Sequence, residues 1–214
     1  MRVGIIDYGV GNLGSIARAL EELRVDAFMI EQASDMENAD RLILPGVGNF
    51  TECMERLADG NWIGALKAAV LDKGKHLLGV CVGMQLLADY GTEGADPSEP
   101  EGTKGLGLIG GKVVHLRDIG CEMRVPHVGW NGIVMPSAKP DLFAGIPEAT
   151  DFYFVHSYAF VANDPASVAA TALYGVPFAA AVSSGRVCGT QFHPEKSSRA
   201  GFTVLRNFTK LPAC

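Results

Sequence analysis

The chain has 214 residues, 48% of them apolar, and a formal charge of -6. This is enough for one domain, residues 1–214, with a full hydrophobic core. The negative balance argues against non-specific binding to nucleic acid or to an anionic membrane surface, and no apolar run approaches the length that spans a bilayer.

Val3–Ile6 is a short apolar run ended by Asp7, which predicts a buried strand. Gly9, Gly11, Asn12 and Gly14 make a tight turn, and Ile16, Ala17, Leu20 and Leu23 predict a helix over about 14–24. Ala27–Ile30 reads as the second strand. Leu42–Leu44 reads as the third, stopped by Pro45 and Gly46. Ile63, Leu66, Ala69 and Val70 mark a second long helix that ends near Gly74. Leu77–Val80 is the next strand, and Met84–Leu87 opens another helix. This first half alternates strand and helix, which predicts a parallel sheet with helices on both faces.

Asp89–Gly111 is rich in Gly, Glu and Pro and reads as a surface loop. The second half is richer in strands: Lys112–Leu116, Phe152–His156, Val168–Tyr174, Ala179–Val182 and Val187–Phe192. Ser183-Ser184-Gly185 between apolar runs signals a hairpin. A final helix runs over about 197–208, with Phe202, Leu205 and Phe208 facing inward. The expected fold is α/β, with a mixed, mostly parallel sheet extended by antiparallel strands.

Five cysteines (Cys53, Cys81, Cys121, Cys188 and Cys214) lack CxxC spacing, which fits a reducing, cytoplasmic setting without disulfides or a thiolate zinc site. The opening Met1-Arg2-Val3-Gly4-Ile5-Ile6-Asp7 has no signal-peptide pattern. No histidine pair has ligand spacing, so neither a metal nor a cofactor is expected. The Gly9–Gly14 spacing does not match a dinucleotide fingerprint.

Cys81, in Gly79-Val80-Cys81-Val82-Gly83, stands where an apolar strand runs into a helix. A sharp turn there would expose its side chain at the apex, with Gly79 and Gly83 giving room and, at one or both, unusual dihedrals. A helix N-terminus would favour the thiolate. The local pattern alone fits a small core thiol equally well. Cys53, Cys188, Cys121 and Cys214 carry no such pattern.

His193 and Glu195 follow the last strand, two residues apart, in Gln191-Phe192-His193-Pro194-Glu195. In an extended chain their side chains share a side, so the carboxylate can hold and orient the imidazole. With Cys81 they compose a nucleophile, its base and the group that orients the base. That set points to acyl transfer through a thioester. The tetrahedral oxyanion needs donors: the backbone N–H of Val82 is one, and Pro45–Phe50 is the best source of a second. His127 and His156 read as structural or pocket-lining, and His76 and His115 as strand-end residues.

The Gly79–Gln85 and His193–Glu195 segments resemble the class I (triad) glutamine amidotransferases. Asp7–Leu13, Pro45–Gly48, Val125–Asn131, Phe154–Tyr158 and His193–Ser197 resemble, within that class, the glutaminase subunits of imidazole glycerol phosphate synthases. The match runs from residue 7 to 197. The resemblance implies a flavodoxin-like, three-layer fold and hydrolysis of L-glutamine through a Cys81 glutamyl thioester, with His193 and Glu195 completing the triad. It implies an oxyanion hole at Val47 and Val82, and substrate contacts at Gly48, Gln85, Ser157 and Tyr158. It also implies a partner, the (β/α)8-barrel HisF cyclase subunit, with Asn12 and Lys196 near their interface. That partner uses the ammonia to convert PRFAR to imidazole glycerol phosphate and AICAR in histidine biosynthesis. Val82 replaces a common leucine and Ala159 a frequent aromatic; neither touches the triad.

Overall fold

The computed structural model describes residues 1–212, so Cys214 lies outside the described residues. Strand β1 (Arg2–Ile6) is followed by helix α1 (Leu13–Glu22), β2 (Asp26–Ile30) by a 3-10 turn (Ala33–Asn38), and β3 (Arg41–Gly46) by helices α2 (Phe50–Asp59) and α3 (Trp62–Lys67) before β4 (His76–Cys81). The single-turn α4 (Val82–Gln85) follows β4 directly. Then come β5 (Tyr90–Gly91), β6 (Thr103–Lys104), β7 (Gly111–His115), β8 (His127–Val134), β9 (Asp151–His156) and β10 (Tyr158–Ala162). β11 (Val168–Tyr174), β12 (Val176–Ser184), β13 (Val187–Thr190) and α5 (Ser198–Phe208) complete the order. No helix among the described residues is long and apolar enough to cross a membrane.

Nine strands form one sheet in the order β2-β1-β3-β4-β13-β12-β11-β8-β9. Every pairing from β2 to β13 is parallel, and every pairing from β13 to β9 is antiparallel. This is the mixed sheet the sequence predicts. β4 and β13 are buried at every position, as strands covered on both faces must be. In β8, buried, half-buried and exposed positions follow one another, leaving part of the strand open to water. Ser184 pairs with Val187 across the predicted hairpin.

The structure differs from these expectations in five places. Pro45 and Gly46 do not stop β3; they pair with Val80 and Cys81 of β4. The β1 ladder ends earlier, at Ile43, so Pro45 lies where β3 has one neighbour and needs fewer donors. The helix after Cys81 lasts one turn because the following carbonyls are taken elsewhere: Leu86, Leu87 and Ala88 accept from the amides of Leu106, Leu108 and Gly107. The same bonds tie down Asp89–Gly111. Gly91, Gly105, Leu106 and Ile109 in it are buried, and its two short strands join a second sheet, β10-β7-β5-β6. The long helix over 63–74 is α3 followed by a wide π turn over Ala68–Asp72. In α5, Val204 is buried and Phe202 only partly so.

Candidate active site

Cys81 ends β4 with φ +56° and ψ −114°. A non-glycine residue pays for such a backbone, and a strained nucleophile on a strand-to-helix turn is a recurring way to present a reactive atom. The unusual dihedrals therefore fall on Cys81 and not on Gly79 or Gly83, neither of which has a left-handed φ. Those glycines serve close approach. A Cβ on Gly83 would run into the Leu44 carbonyl, and one on Gly79 into the Gly83 carbonyl. Gly46, on β3, abuts Gly83 in the same way. Three glycines thus let the turn cross the neighbouring strand end. Cys81 is buried in this crossing, with its Sγ 3.8 Å from the Val155 carbonyl.

His193 and Glu195 arrive from the other side, on the turn after β13. The His193 amide donates to the Tyr153 carbonyl at 3.0 Å. The Ser197 hydroxyl donates to the His193 carbonyl at 2.6 Å and accepts from the Tyr153 amide at 3.0 Å. These bonds clamp the turn onto β9. His193 Nδ1 lies 2.8 Å from Glu195 Oε1, and both side chains are almost wholly buried. Burial alone would lower the His193 pKa, but hydrogen bonds and charge from Cys81 and Glu195 outweigh it and raise it to about 9. The imidazole therefore interacts with Cys81 on one side and the carboxylate on the other. Asn12, expected at a partner interface, donates from Nδ2 to the same Glu195 oxygen at 3.1 Å.

Cys81 and His193 face a cavity of about 290 Å³, which Val47, Gly48, Val82, Gln85, Ser157, Tyr158 and Lys196 also line. Every residue the sequence suggested for catalysis, oxyanion or substrate contact except Glu195 is on this wall; Glu195 stands behind His193. Val47 is 40% exposed, and its carbonyl accepts from the Cys53 thiol at 3.4 Å. Gly48 has φ +92°, a conformation open to glycine at no steric cost. The Tyr8 hydroxyl holds the Pro45 carbonyl at 2.9 Å. The segment that could supply the second oxyanion donor is thus tethered at two carbonyls. Gln85 is buried and its Oε1 has no partner. A buried acceptor without a protein partner is uncommon and costly, which singles Gln85 out on this wall.

The sequence did not single out Glu93, which lines the same cavity. Its carboxylate accepts from the Phe50 amide at 3.2 Å, and burial pushes its pKa up. It lies in the segment read as a loop, where periodicity carries no signal. The two histidines left open are resolved as a pair. His156 Nδ1 donates to the Tyr158 carbonyl at 2.9 Å, so its Nε2 accepts from His127 Nδ1 at 3.0 Å. Burial lowers both pKa values to about 4. His156 lines the cavity and His127 stacks on Tyr174 behind it. Among the described residues no His, Cys, Asp and Glu cluster could hold a metal ion.

The family model described as "Glutamine amidotransferase class-I" matches residues 4–211. The chain belongs to the class I glutamine amidotransferase family. Its similarity extends to curated relatives. It is 41% identical over 209 residues to "Imidazole glycerol phosphate synthase subunit HisH 1" of Campylobacter jejuni subsp. jejuni serotype O:23/36, covering 98% of this chain and 100% of that one. It is 44% identical over 219 residues to "Imidazole glycerol phosphate synthase subunit HisH" of Rhodospirillum rubrum, covering 98% and 99%. Among solved structures it resembles one titled "Crystal structure of glutamine amidotransferase", with TM-score 0.73, 21% identity and coverage of 98% and 97%. It also resembles "Structure of PurLQS from Thermotoga maritima", with TM-score 0.74, 18% identity and the same coverage. At those identities the two structures speak for the fold alone, the class I amidotransferase α/β fold.

Proposed function

We propose that this chain is the glutaminase subunit of an imidazole glycerol phosphate synthase, and that Cys81, His193 and Glu195 cleave L-glutamine to glutamate and ammonia. The observation that carries this reading is the convergence of three elements on one small cavity: the strained Cys81 from β4, His193 from the turn after β13, and Glu195 hydrogen-bonded behind it. The full-length similarity to HisH subunits supports the choice of amidotransferase.

The thiolate of Cys81 attacks the side-chain amide carbon of glutamine, and the amide oxygen becomes an oxyanion. The Val82 N–H is one donor to it, and the Val47 strand is the source of a second. His193, which holds a proton through neutral pH, gives it to the departing nitrogen, and ammonia leaves. Water then gives a proton to His193 and attacks the glutamyl thioester, which releases glutamate and restores Cys81. Glu195 holds the ring and stabilises its charged form. Glu93 supplies the negative charge that suits the substrate ammonium. Gly48, Gln85, Ser157 and Tyr158 line the rest of the wall that would hold its amino-acid end.

The ammonia passes to a HisF cyclase subunit, a (β/α)8 barrel in heterodimeric complex with this chain. That subunit converts PRFAR to imidazole glycerol phosphate and AICAR. Asn12 and Lys196 face that partner in this reading. The exposed Val128, Trp130 and Val134 of β8, on the strand that follows pocket residue Pro126, extend an apolar surface suited to it. Among the described residues the four cysteines, Cys53, Cys81, Cys121 and Cys188, are free thiols, which suits a cytoplasmic setting.

Glutamate release from glutamine tests the assignment. The purified chain is assayed alone, then with the cognate barrel subunit and its nucleotide substrate, with Cys81→Ala as the blank. Strong release only in the full mixture, absent from the blank, is expected. No stimulation by a barrel that is competent on free ammonia would overturn the pairing.

A further inference from the structure

Gln191 has no role in the chemistry above, yet it is fully buried between the nucleophile and the substrate wall. Its orientation follows from one carbonyl. The Tyr158 carbonyl can only accept, and Gln85 Nε2 lies 3.1 Å from it. That contact fixes which end of the Gln85 carboxamide is nitrogen. The second Gln85 N–H then goes to Gln191 Oε1 at 2.9 Å. With its oxygen turned toward Gln85, Gln191 must turn its nitrogen toward Cys81, and Nε2 stands 3.9 Å from Sγ. Its backbone is pinned as well, since the Gln191 amide donates to the Ala180 carbonyl at 2.9 Å.

We propose that Gln191 is a positioning residue with two effects, resting on the reading of Cys81 as nucleophile and Gln85 as a substrate contact. On the sulfur side, it aims an N–H at Cys81 and favours the thiolate without adding a second charge beside His193. On the substrate side, it occupies one of the two Gln85 donors. The Tyr158 carbonyl occupies the other, so Oε1 is the one polar atom of the Gln85 carboxamide without a protein partner, and in this proposal it accepts from the substrate when the wall closes on it. Removing Gln191 leaves the Gln85 carboxamide held by the Tyr158 carbonyl alone, so the direction of its Oε1 rests on one bond instead of two. A glutamine substrate, which brings both an ammonium and an amide N–H, is recognised best when that acceptor is fixed.

The test uses the full chain with Gln191→Leu and Gln191→Glu. Alkylation of Cys81 by iodoacetamide is followed by mass spectrometry of its peptide across pH, with and without glutamine. Gln191→Leu removes both effects. Cys81 alkylation at neutral pH falls about tenfold, its rate–pH profile moves to higher pH, and the glutamine concentration that protects rises about tenfold. Gln191→Glu keeps an oxygen for Gln85 but puts an oxygen where the N–H faced sulfur, so alkylation falls while protection stays near wild type. In a Gln85→Ala background, Gln191→Leu still slows alkylation but weakens protection no further. Melting temperatures check folding, and Gln191→Met, which conserves volume, replaces Gln191→Leu should that variant not fold. Folded variants with alkylation profile and protection within about twofold of wild type would overturn the proposal while leaving the glutaminase reading intact. A wild-type Cys81 that glutamine does not protect would count against that reading and overturn the substrate effect with it.

Discussion

Along the parallel half of the sheet, from β2 to β13, the central strands are buried on both faces and the chain crosses itself at glycines. Along the antiparallel half, from β12 to β9, side chains divide between core and water, and Val128, Trp130, Val134 and Leu173 remain exposed. The proposed nucleophile, Cys81, belongs to the first half. Its position is set by backbone crossing backbone, at Gly46, Gly79 and Gly83, with little left for side chains to adjust. Much of the pocket wall and an apolar outer surface belong to the second half, where side chains set the shape. The division suits the proposed function, in which the sulfur of Cys81 is held rigidly and a partner would be met through a separate surface.

The largest effects should fall on the parallel half. Cys81→Ala should lower glutamine turnover in the assembled complex by about 10⁴-fold or more; residual turnover within tenfold of wild type would remove Cys81 from the chemistry. Gly83→Ala should cost about 3 kcal/mol in urea unfolding, because its Cβ meets the Leu44 carbonyl and backbone cannot step aside as a flexible side chain can. On the antiparallel half, Val134→Ala, at a residue 61% exposed, should change stability by no more than about 0.5 kcal/mol. Equal costs at the two positions would erase the contrast between the halves. Within the site itself, Cys81→Gly should be more stable than Cys81→Ala by about 1–3 kcal/mol, since glycine adopts φ +56° without the Cβ penalty.

The same division decides what could be read from the sequence. Continuous apolar runs such as Leu77–Val80 announce buried parallel strands, so β1 to β4 and β13 were legible, and the residues proposed for catalysis, Cys81, His193 and Glu195, sit at or just past the ends of two of them. β8 was not legible: His127–Val134 contains two glycines and an asparagine, and no apolar alternation survives them. β10 is short and follows β9 after a single residue, so the run around Phe154–Tyr158 drew attention as a motif and not as strand boundaries. Helix α2 does carry a local signal. Asn49 accepts from the Glu52 amide as its cap, and Phe50, Cys53, Met54 and Leu57 recur at helical spacing. Glu93 and Gln191 depend on contacts across more than forty residues, Phe50 with Glu93 and Gln85 with Gln191. Local pattern holds no record of such contacts.

The two halves should also respond to pH in opposite directions. His193 has its pKa raised in the folded state to about 9, from an ordinary value near 6.5. Its contribution to stability is fully present below about pH 6.5 and is lost as pH rises through about 9. His127 and His156, on β8 and β9, have pKa values lowered by burial to about 4. Their contribution is intact above about pH 6.5 and is lost as pH falls through about 4. Stability measured by urea unfolding should therefore peak near pH 6.5. Glu195→Gln should flatten the alkaline limb, and His127→Gln should flatten part of the acid limb. If Glu195→Gln left the alkaline limb unchanged, the raised pKa of His193 would rest on Cys81 and not on Glu195.

The smallest effect sharpens the comparison within the parallel half, because burial and proximity to β4 are separate matters there. Gly64 lies in α3, exposed, without a left-handed φ and with nothing within 4 Å of an added Cβ. Alanine there narrows the unfolded chain and suits a helix interior, so Gly64→Ala should stabilise by about 0.4–1 kcal/mol and raise the melting temperature by about 1–4 °C. Glutamine turnover with the partner should not change. The same substitution chemistry at Gly83 and Gly64 is thus expected to act with opposite sign. A loss at Gly64 as large as that at Gly83 would mean that glycine is required in this half for a reason other than the crossing of β4 and β3, and the steric account of the nucleophile turn would fall with it.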